Sequence, residues 1–266
     1  MGDFAFLVDT TKCIGCKACQ VACKQWNNLP AEEAVLSFNQ EYTYPKTLTA
    51  ITFNHVIFSE IENADSRIQW QMMHKKCFHC EVPNCLTVCP AGAIYKDDYW
   101  VVIDQAKCIG CKECVNACIY NVPHVSENDY HEYGTGSFIA KNKAYKCHAC
   151  RVKVRDIPAC VSVCPSDAIT FDYRVKIAAD AKKRLRAVKK DFPMASVYGL
   201  EEYGGLHVIT ILKDRPEKFG LAKNPVPFKS KSSNTRNDLY GILSSFSLGL
   251  PSLKRLAFKI SKHFTS

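Results

Sequence analysis

The chain has 266 residues, of which 47% are hydrophobic and 23% charged, a balance typical of a folded globular protein and not of a disordered one. Lys and Arg (35) outnumber Asp and Glu (26), giving a formal net charge of +9. Sixteen cysteines are too many to be incidental buried thiols. All of them lie in residues 1–173, which hold 16 basic and 19 acidic side chains, whereas residues 174–266 hold 19 basic and 7 acidic. We therefore place a boundary near Tyr173.

Neither end of the chain shows a targeting or membrane-spanning pattern. The opening residues, MGDFAFLVDTTK, lack the basic stretch followed by an apolar one that a secretory signal requires. The longest uncharged run, 239–253, has 15 residues, short of the roughly 20 that a spanning helix needs. We expect no secretory signal and no transmembrane helix in this chain.

The first cysteine group opens the chain and is followed by an insertion. Group one has the spacing C-x2-C-x2-C-x3-C and consists of Cys13, Cys16, Cys19 and Cys23. The insertion, 31–73, contains the stretch 42–61, which is rich in β-branched and aromatic residues and predicts one or two strands.

Groups two and three are close together in the chain. Group two is spaced C-x2-C-x4-C-x3-C before Pro90 and consists of Cys77, Cys80, Cys85 and Cys89. Group three repeats the spacing of group one and consists of Cys108, Cys111, Cys114 and Cys118. Between the two groups, the alternation of apolar and polar residues predicts a β-hairpin.

Group four completes an internal repeat. It is spaced C-x2-C-x9-C-x3-C before Pro165 and consists of Cys147, Cys150, Cys160 and Cys164. CIGCKACQVAC at 13–23 reappears as CIGCKECVNAC at 108–118, and CPAGAI at 89–94 reappears as CPSDAI at 164–169. The groups therefore alternate between two types that each occur twice.

The region after group four is basic and predicts helices. Ile177, Ala181, Leu185 and Val188 would share one face of an amphipathic helix. The last segment, SLKRLAFKISKHF at 252–264, places apolar residues opposite basic ones, as in helices that lie on a membrane surface or a partner. Packing on its own body, or disorder, is the alternative for this tail. No nucleic-acid recognition motif accompanies the basic residues, so we expect no nucleic-acid partner.

Three kinds of chemistry could explain so many cysteines. Secreted disulfide scaffolds are usually small, and structural zinc uses two separated pairs of ligands instead of three cysteines within seven residues. The run C-x2-C-x2-C-x3-C is the bacterial ferredoxin pattern for [4Fe–4S] clusters, in which each iron takes one thiolate. Sixteen cysteines thus predict four clusters with no open iron and no catalytic residue, so the chemistry would be outer-sphere electron transfer.

The pairing of the groups decides which cysteines share a cluster. In two-cluster ferredoxins the fourth cysteine lies beyond the loop, where we expect a helix to start, and binds the other cluster. The proximity of groups two and three favours pairing them, with groups one and four pairing across the chain; pairing one with two and three with four is the alternative. The favoured pairing predicts set one (Cys13, Cys16, Cys19, Cys164), set two (Cys77, Cys80, Cys85, Cys118), set three (Cys89, Cys108, Cys111, Cys114) and set four (Cys23, Cys147, Cys150, Cys160).

These motifs resemble the four-cluster iron–sulfur subunits of molybdopterin oxidoreductases, whose ligation agrees with the favoured pairing. The matching stretches cover roughly residues 8–30 and 74–228, and the part after group four is similar to formate dehydrogenase beta subunits, where it folds back over the cluster domain. Two departures are CIY in place of Cys-Pro at the end of group three, and a tail shorter than the transmembrane helix of membrane-bound members.

The resemblance implies an electron-transfer subunit of anaerobic respiration. Its partner would be a molybdenum or tungsten bis-pterin subunit that oxidises formate or reduces carbon dioxide. The acceptor would be a membrane cytochrome b or quinone-reactive subunit, or a soluble redox subunit. Alternatives are the iron–sulfur subunit of a sulfur-compound or dimethyl sulfoxide-type reductase, a hydrogenase-linked complex, and a free polyferredoxin carrier. The compartment is either the periplasm, reached by co-export with a signal-bearing partner, or the cytoplasm, with peripheral membrane attachment open in both cases.

The expected fold is α+β, with two nested bacterial-ferredoxin-like modules that each hold two [4Fe–4S] clusters, a β-containing insertion and a C-terminal extension. The first module comprises 1–30 and 140–173, the insertion 31–73, the second module 74–125 and the basic extension 174–266. Modules this small have little apolar core, so their clusters would hold them together.

Overall fold

In a computed structural model of the chain, residues 2–33, 42–62, 68–131, 138–151 and 157–227 are described; the predicted tail helix at 252–264 lies outside them. The strands are Phe4–Asp9 (β1), His55–Glu62 (β2), Ile68–Lys75 (β3), Ile94–Asp97 (β4), Trp100–Ile103 (β5), His124–Val125 (β6), Tyr130–His131 (β7), Phe138–Ile139 (β8), Ala144–Tyr145 (β9), Ile169–Tyr173 (β10), Ser196–Tyr198 (β11) and Val208–Leu212 (β12). The α-helices are Ala18–Asn27 (α1), Asn84–Thr87 (α2), Glu113–Ala117 (α3), Ala159–Ser162 (α4) and Arg174–Val188 (α5). Glu202–Gly204 and Pro216–Phe219 form 3-10 turns.

The largest sheet joins the start of the chain to its C-terminal part. Its four strands lie in the order β10–β1–β12–β11. In β1, Phe6 lies opposite Phe171 of the antiparallel β10 and opposite Val208 of the parallel β12. The strand before group one thus pairs with the strand after group four. Because β11 and β12 belong to the 174–266 extension, that extension supplies half of the strands of this sheet.

Helix α5 covers one face of this sheet, and the predicted apolar face is the one that is buried. Ile177, Ala181 and Val188 are at most 3% exposed and pack against Ala5 of β1 and Ile209 of β12. Phe6 and Val8 of β1 point into the other core cluster, which contains the buried cysteines of groups one and four. A central strand buried on both faces accounts for the apolar run FAFLV.

The internal repeat is visible in the backbone. Gly15 and Gly110, which occupy equivalent places in groups one and three, both have positive φ (70° and 67°). The lysines two residues later are also left-handed, Lys17 at 60° and Lys112 at 66°. In groups two and four, the equivalent residues His79 and Ala149 have φ of 48° and 54°, and Gly92 and Asp167 have 57° and 48°. Equivalent cysteine loops therefore take the same turns, as their shared sequence predicts.

Two helix pairs join the cysteine groups. Helix α1 of group one packs against α4 of group four, and α2 of group two packs against α3 of group three. The helix expected at the fourth cysteine starts earlier: α1 begins at Ala18 and α3 at Glu113, each just before the third cysteine of its group. The expectation was wrong because a residue with left-handed backbone precedes each of these helices. The chain therefore enters the helix before the third cysteine of the group and not at the fourth.

The two predicted β segments have different outcomes. The hairpin between groups two and three is present, with β4 and β5 paired antiparallel and Asp97 opposite Trp100. Of the stretch 42–61, only the part from His55 onwards is a strand, and it pairs with β3. Residues 42–54 form no strand apart from an isolated bridge between Thr49 and Thr52. Thr43 Oγ1 accepts a hydrogen bond from the backbone N–H of Phe58 (2.8 Å), so side-chain contacts hold this segment against β2.

No helix in the described ranges has the length and apolar character needed to cross a membrane. The longest, α5, has 15 residues and is amphipathic.

The packing of α5 leads to a stability prediction. We expect Ile177→Ala to lower the free energy of unfolding by about 2–5 kcal/mol, because Ile177 is 2% exposed and its truncation leaves a cavity against the sheet. Val175→Ala is the matched control on the same helix, and we expect it to change stability by less than about 0.5 kcal/mol because Val175 is 83% exposed. Anaerobic denaturant titration followed by circular dichroism measures both. Equal unfolding midpoints for the two variants would show that α5 does not cover the sheet in this way.

Candidate metal centres

The cysteines predicted for set one come together from both ends of the cysteine-rich region. Cys13 interacts electrostatically with Cys164 and Cys16, and Cys19 with Cys13 and Cys16. Cys13 and Cys16 lie in the group-one loop, Cys19 lies on α1, and Cys164 follows α4. The pairing of β1 with β10 and the packing of α1 on α4 bring Cys164 back across more than a hundred residues.

Set four takes one cysteine from each of the same two helices, Cys23 from α1 and Cys160 from α4. Cys23, Cys147, Cys150 and Cys160 line one small cavity, together with Phe6, Phe53 and Lys76. Cys23 interacts electrostatically with each of the other three cysteines. The four thiols predicted for set four thus face a common interior space.

The cysteines of sets two and three are joined by the α2–α3 contact. Cys80 interacts with Cys77, Cys85 and Cys118, the other three members of set two. The four cysteines of set three line a second small cavity with Gly110 and Ala144. In both sets one cysteine comes from the opposite group: Cys118 of group three in set two, and Cys89 of group two in set three.

Contacts between sets give them a linear order. Cys19 of set one interacts with Cys160 of set four, and Cys147 of set four interacts with Cys77 of set two. Cys85 of set two interacts with Cys114 of set three. The order is therefore one–four–two–three, so sets four and two are interior and sets one and three are terminal.

Exposure of the thiols follows the same order. Of the sixteen cysteines only Cys16 and Cys111 are exposed, and they belong to the terminal sets one and three. Each lies two residues after an exposed isoleucine, Ile14 (62% exposed) and Ile109 (64%). The eight cysteines of the two interior sets divide equally between buried and half-buried.

Burial raises the pKa of several of these thiols and so favours their protonated form in the absence of a metal. It raises the pKa of Cys19, Cys85 and Cys147 to about 12 and that of Cys114 to about 11. For Cys19 and Cys114, neighbouring thiols raise the pKa further, because several negative charges in one place repel one another. Binding iron at these sites would therefore displace protons, since the thiolate is the ligand form.

Two kinds of hydrogen bond reach the sulfur atoms. Backbone N–H groups of Ala144 and Ala149 donate to Cys108 Sγ (3.3 Å) and Cys147 Sγ (3.4 Å). The side-chain amide of Asn27 donates to Cys23 Sγ (3.4 Å), while Asn27 Oδ1 is 2.8 Å from His148 Nε2. Such bonds stabilise thiolate charge and are among the levers that set a cluster's potential. Asn27 carries no sequence signal of this role beyond its place one helical turn after Cys23.

The C-terminal extension holds the group-two loop in place. An isolated β-bridge joins Cys80 to Leu206, and the N–H of Glu81 donates to Gly205 O (2.9 Å). The side-chain amide of Asn84 donates to Tyr203 Oη (3.0 Å). Gly205 has φ of 107°, a backbone conformation that residues with a side chain rarely adopt, so this crossing favours glycine. The extension therefore fixes set two relative to the sheet that carries set one.

Two buried lysines lie beside the interior sets. Lys76 and Lys146 are 1% and 5% exposed, and each directly precedes the first cysteine of its group. Lys76 Nζ is 4.0 Å from Cys160 Sγ, and the ammonium of Lys146 donates to the carbonyls of Val101 and Cys147. Sequence reasoning missed both residues, although a lysine precedes every group, because the pattern does not tell which of the four lysines is buried.

The donor sets suit a polynuclear group with soft ligands. Among the described residues, no group of three or more His, Cys, Asp or Glu could hold a single metal ion. Each set instead offers four sulfur donors, and in sets three and four all four line one cavity. A [4Fe–4S] cluster takes four thiolates, one for each iron, so these residues fit that group.

Comparison with known proteins agrees with this chemistry. Two family models, both described as 4Fe–4S dicluster domains, match residues 12–93 and 68–174. The chain is 38% identical to the iron–sulfur subunit of the nitrate-inducible formate dehydrogenase of Escherichia coli (strain K12), over 84% of this chain and 74% of that protein. It is 30% identical to formate dehydrogenase 2 subunit beta (cytochrome c-553) of Nitratidesulfovibrio vulgaris, over 81% of this chain and 95% of that one. It is 29% identical to the hydrogenase-2 operon protein HybA of Escherichia coli O157:H7, over 90% and 79%.

The group-three loop yields a prediction about backbone fit. Gly110 has φ of 67°, and an added Cβ would lie 2.1 Å from the carbonyl oxygen of Asn142. We expect Gly110→Ala to cost about 1–3 kcal/mol more stability than Gly92→Ala, because Gly92 also has positive φ but an added Cβ would meet nothing within 4 Å. Anaerobic thermal unfolding of the two variants measures the difference. Equal losses would mean that residues 142–144 do not press on this loop.

Proposed function

The chain belongs to the family of formate dehydrogenase iron–sulfur subunits, and we propose that it carries single electrons between a molybdenum or tungsten bis-pterin catalytic subunit and a second redox partner. Two 4Fe–4S dicluster domains and 38% identity to a formate dehydrogenase subunit make it an iron–sulfur electron-transfer protein. The observation that carries the finer proposal is the linear order of four thiol sets, with the two exposed cysteines, Cys16 and Cys111, at its two ends.

Each of the four sets would hold one [4Fe–4S] cluster. A bound cluster supplies reversible one-electron transfer. Four cysteines would supply the ligands of each cluster. The cysteine loops and the short helices hold the four thiols of a set near one another. The interior sets hold four buried and four half-buried cysteines, whereas the terminal sets hold the two exposed ones, so exchange with other molecules would take place at the terminal sets. No side chain of this subunit would act on a substrate, because that chemistry belongs to the cofactor of the partner.

The two terminal sets provide two places for electron exchange. Cys16 and Ile14 mark one end, and Cys111 and Ile109 mark the other. An exposed aliphatic side chain beside an exposed thiol suits the dry centre of a protein interface. Since electron tunnelling falls off steeply with distance, each partner would bring its redox centre close to one of these thiols. The catalytic subunit would occupy one end; a membrane cytochrome b, a quinone-reactive subunit or a soluble redox protein would occupy the other.

A hydrogenase-linked complex is the second candidate function. The match to the hydrogenase-2 operon protein covers 90% of this chain, although at 29% identity. The higher identity to formate dehydrogenase subunits favours formate as the substrate of the partner. Anaerobic purification of the complex and mass spectrometry of the large subunit that accompanies this chain decide between them. A nickel–iron subunit in place of a pterin-containing one would overturn the formate proposal.

Exchange of single cysteines tests which thiols share a cluster. The intact chain is expected to bind about sixteen irons, and Cys→Ser in any set about four fewer. Under the favoured pairing, Cys164→Ser and Cys13→Ser remove the same component of the electron paramagnetic resonance spectrum, because both belong to set one. Cys164→Ser and Cys147→Ser, which alter the same sequence group, remove different components. If Cys164→Ser and Cys13→Ser instead remove different components, the nested pairing is wrong.

Charges placed at the two ends test the exchange surfaces. We expect Ile14→Glu and Ile109→Glu each to weaken association with one partner by about tenfold or more, because a carboxylate in an apolar interface loses its hydration. Iron content should stay unchanged, since neither side chain is a ligand. Val175→Glu, at a site that is 83% exposed on α5, is the control.

The measurement is stopped-flow reduction of the purified complex by formate and its reoxidation by the natural acceptor. One variant should slow reduction and the other reoxidation. Normal rates in both variants, with iron content intact, would contradict the assignment of the ends.

A further inference from the structure

We propose that Lys76 and Lys146 are the internal counterions of the two interior clusters and raise the reduction potentials of those clusters above what the same ligands would give alone. The inference rests on the proposed function, in which sets four and two each hold a [4Fe–4S] cluster. It goes further by assigning a role to two residues that ligate nothing.

The first observation is that both ammonium groups are buried without a carboxylate. Lys76 and Lys146 are 1% and 5% exposed, and no described Asp or Glu forms an ion pair with either. An unpaired buried charge costs several kcal/mol, so a chain keeps one only where another negative group is present. The nearest such groups are the thiolates of sets four and two.

The second observation is where each lysine acts. Lys76 Nζ lies over the ring of Phe6, 4.0 Å from Cys160 Sγ, and acts electrostatically on Cys23 and Cys147, so three thiols of set four feel its charge. Lys146 donates to the carbonyls of Val101 and Cys147 and acts on Cys85 and Cys118 of set two.

Both lysines lie near the same buried histidine, His79. It is fully buried, within electrostatic reach of both ammonium groups, and accepts a hydrogen bond from the N–H of Val101 at Nδ1 (3.1 Å). The positive charge is therefore concentrated at the junction of sets four and two.

The third observation is the contrast within the internal repeat. A lysine also precedes the first cysteine of groups one and three, but Lys12 is exposed and Lys107 is 63% exposed and paired with Asp104 (3.4 Å). The four lysines share a sequence position and differ in burial. A charge in the low-dielectric interior acts more strongly on a neighbour than a hydrated one does, so the buried pair affects its clusters more than the exposed pair.

The consequence for electron uptake follows from charge. Reduction adds one electron to a cluster that is already negative, and a fixed positive charge nearby stabilises the reduced form more than the oxidised form. No other atom changes bonding, so the lysine side chain alters the equilibrium without taking part in the transfer. Removing it should lower the midpoint potential of the nearest cluster.

The test uses the anaerobically purified full chain with the subunits that accompany it. Lys76→Met and Lys146→Met keep a long unbranched side chain and remove the charge. Potentiometric titration followed by electron paramagnetic resonance should show one component shifted down in Lys76→Met and a different one in Lys146→Met. We expect at least a tenfold change in the ratio of reduced to oxidised cluster at fixed potential, which is about 59 mV for a one-electron couple. Lys12→Met and Lys107→Met, the matched exposed positions, should shift their components by less than half as much.

Iron analysis separates the two proposals. About sixteen irons and unshifted potentials in Lys76→Met and Lys146→Met would overturn the counterion role and leave the proposed function standing, whereas far fewer irons in the unaltered chain would overturn the proposed function itself. If a methionine variant loses iron, the arginine and glutamine variants of the same lysine are compared. A need for charge is supported when Lys76→Arg or Lys146→Arg retains iron and the glutamine variant does not. Loss of iron in both the arginine and the glutamine variants contradicts it.

Discussion

The fold depends on bringing sixteen soft sulfur donors into the interior in sets of four. The main core cluster contains five buried cysteines, Cys19, Cys23, Cys77, Cys147 and Cys160, packed among aliphatic side chains and aromatic rings. Thiols so buried are poorly ionised on their own, as the raised pKa of Cys19 and Cys147 to about 12 shows. Such an interior suits a bound state in which metal replaces the protons of the thiols.

Elements outside the cysteine groups hold these sets in place relative to one another. The C-terminal extension does this most directly, because β12 pairs with β1 beside set one while Leu206, just before it, bridges to Cys80 in set two. The buried imidazole of His207 joins the same region, with Nε2 2.9 Å from Asp3 Oδ1 and Nδ1 2.9 Å from the carbonyl of His79. One short segment thus ties the first strand to the group-two loop. A free carrier with two independent ferredoxin modules would not need such a tie, whereas a chain of sets with constant spacing does.

Short sequence patterns predicted those features of the structure that depend only on residues close together in the chain. The repeated CIGCK motif predicted equal turns in groups one and three, and Gly15 and Gly110 do take nearly equal φ. The apolar spacing of Ile177, Ala181 and Val188 predicted the buried face of α5. The pairing of β1 with β12, more than two hundred residues apart, carried no signal, because a short all-apolar strand fits many partners. The same limit applies to Lys76: the dipeptide Lys-Cys occurs before every group, and only the packing of Phe6 over one of them decides that this lysine is buried.

Charge explains why a subunit with a formal charge of +9 need not bind an acidic partner. An oxidised [4Fe–4S] cluster with four thiolates carries about −2, so four of them would bring the net charge of the loaded chain close to zero. The compensation is not uniform. Hydrated lysines at a terminal set, such as Lys107, are screened by salt, and the charges of a docked partner can replace them. Neither salt nor a docked partner reaches an interior set. Positive charge for the interior sets has to be built into the chain, and it must stand where the backbone already approaches the ligands. The residue just before the first cysteine of a group meets that condition, which is where Lys76 and Lys146 are found.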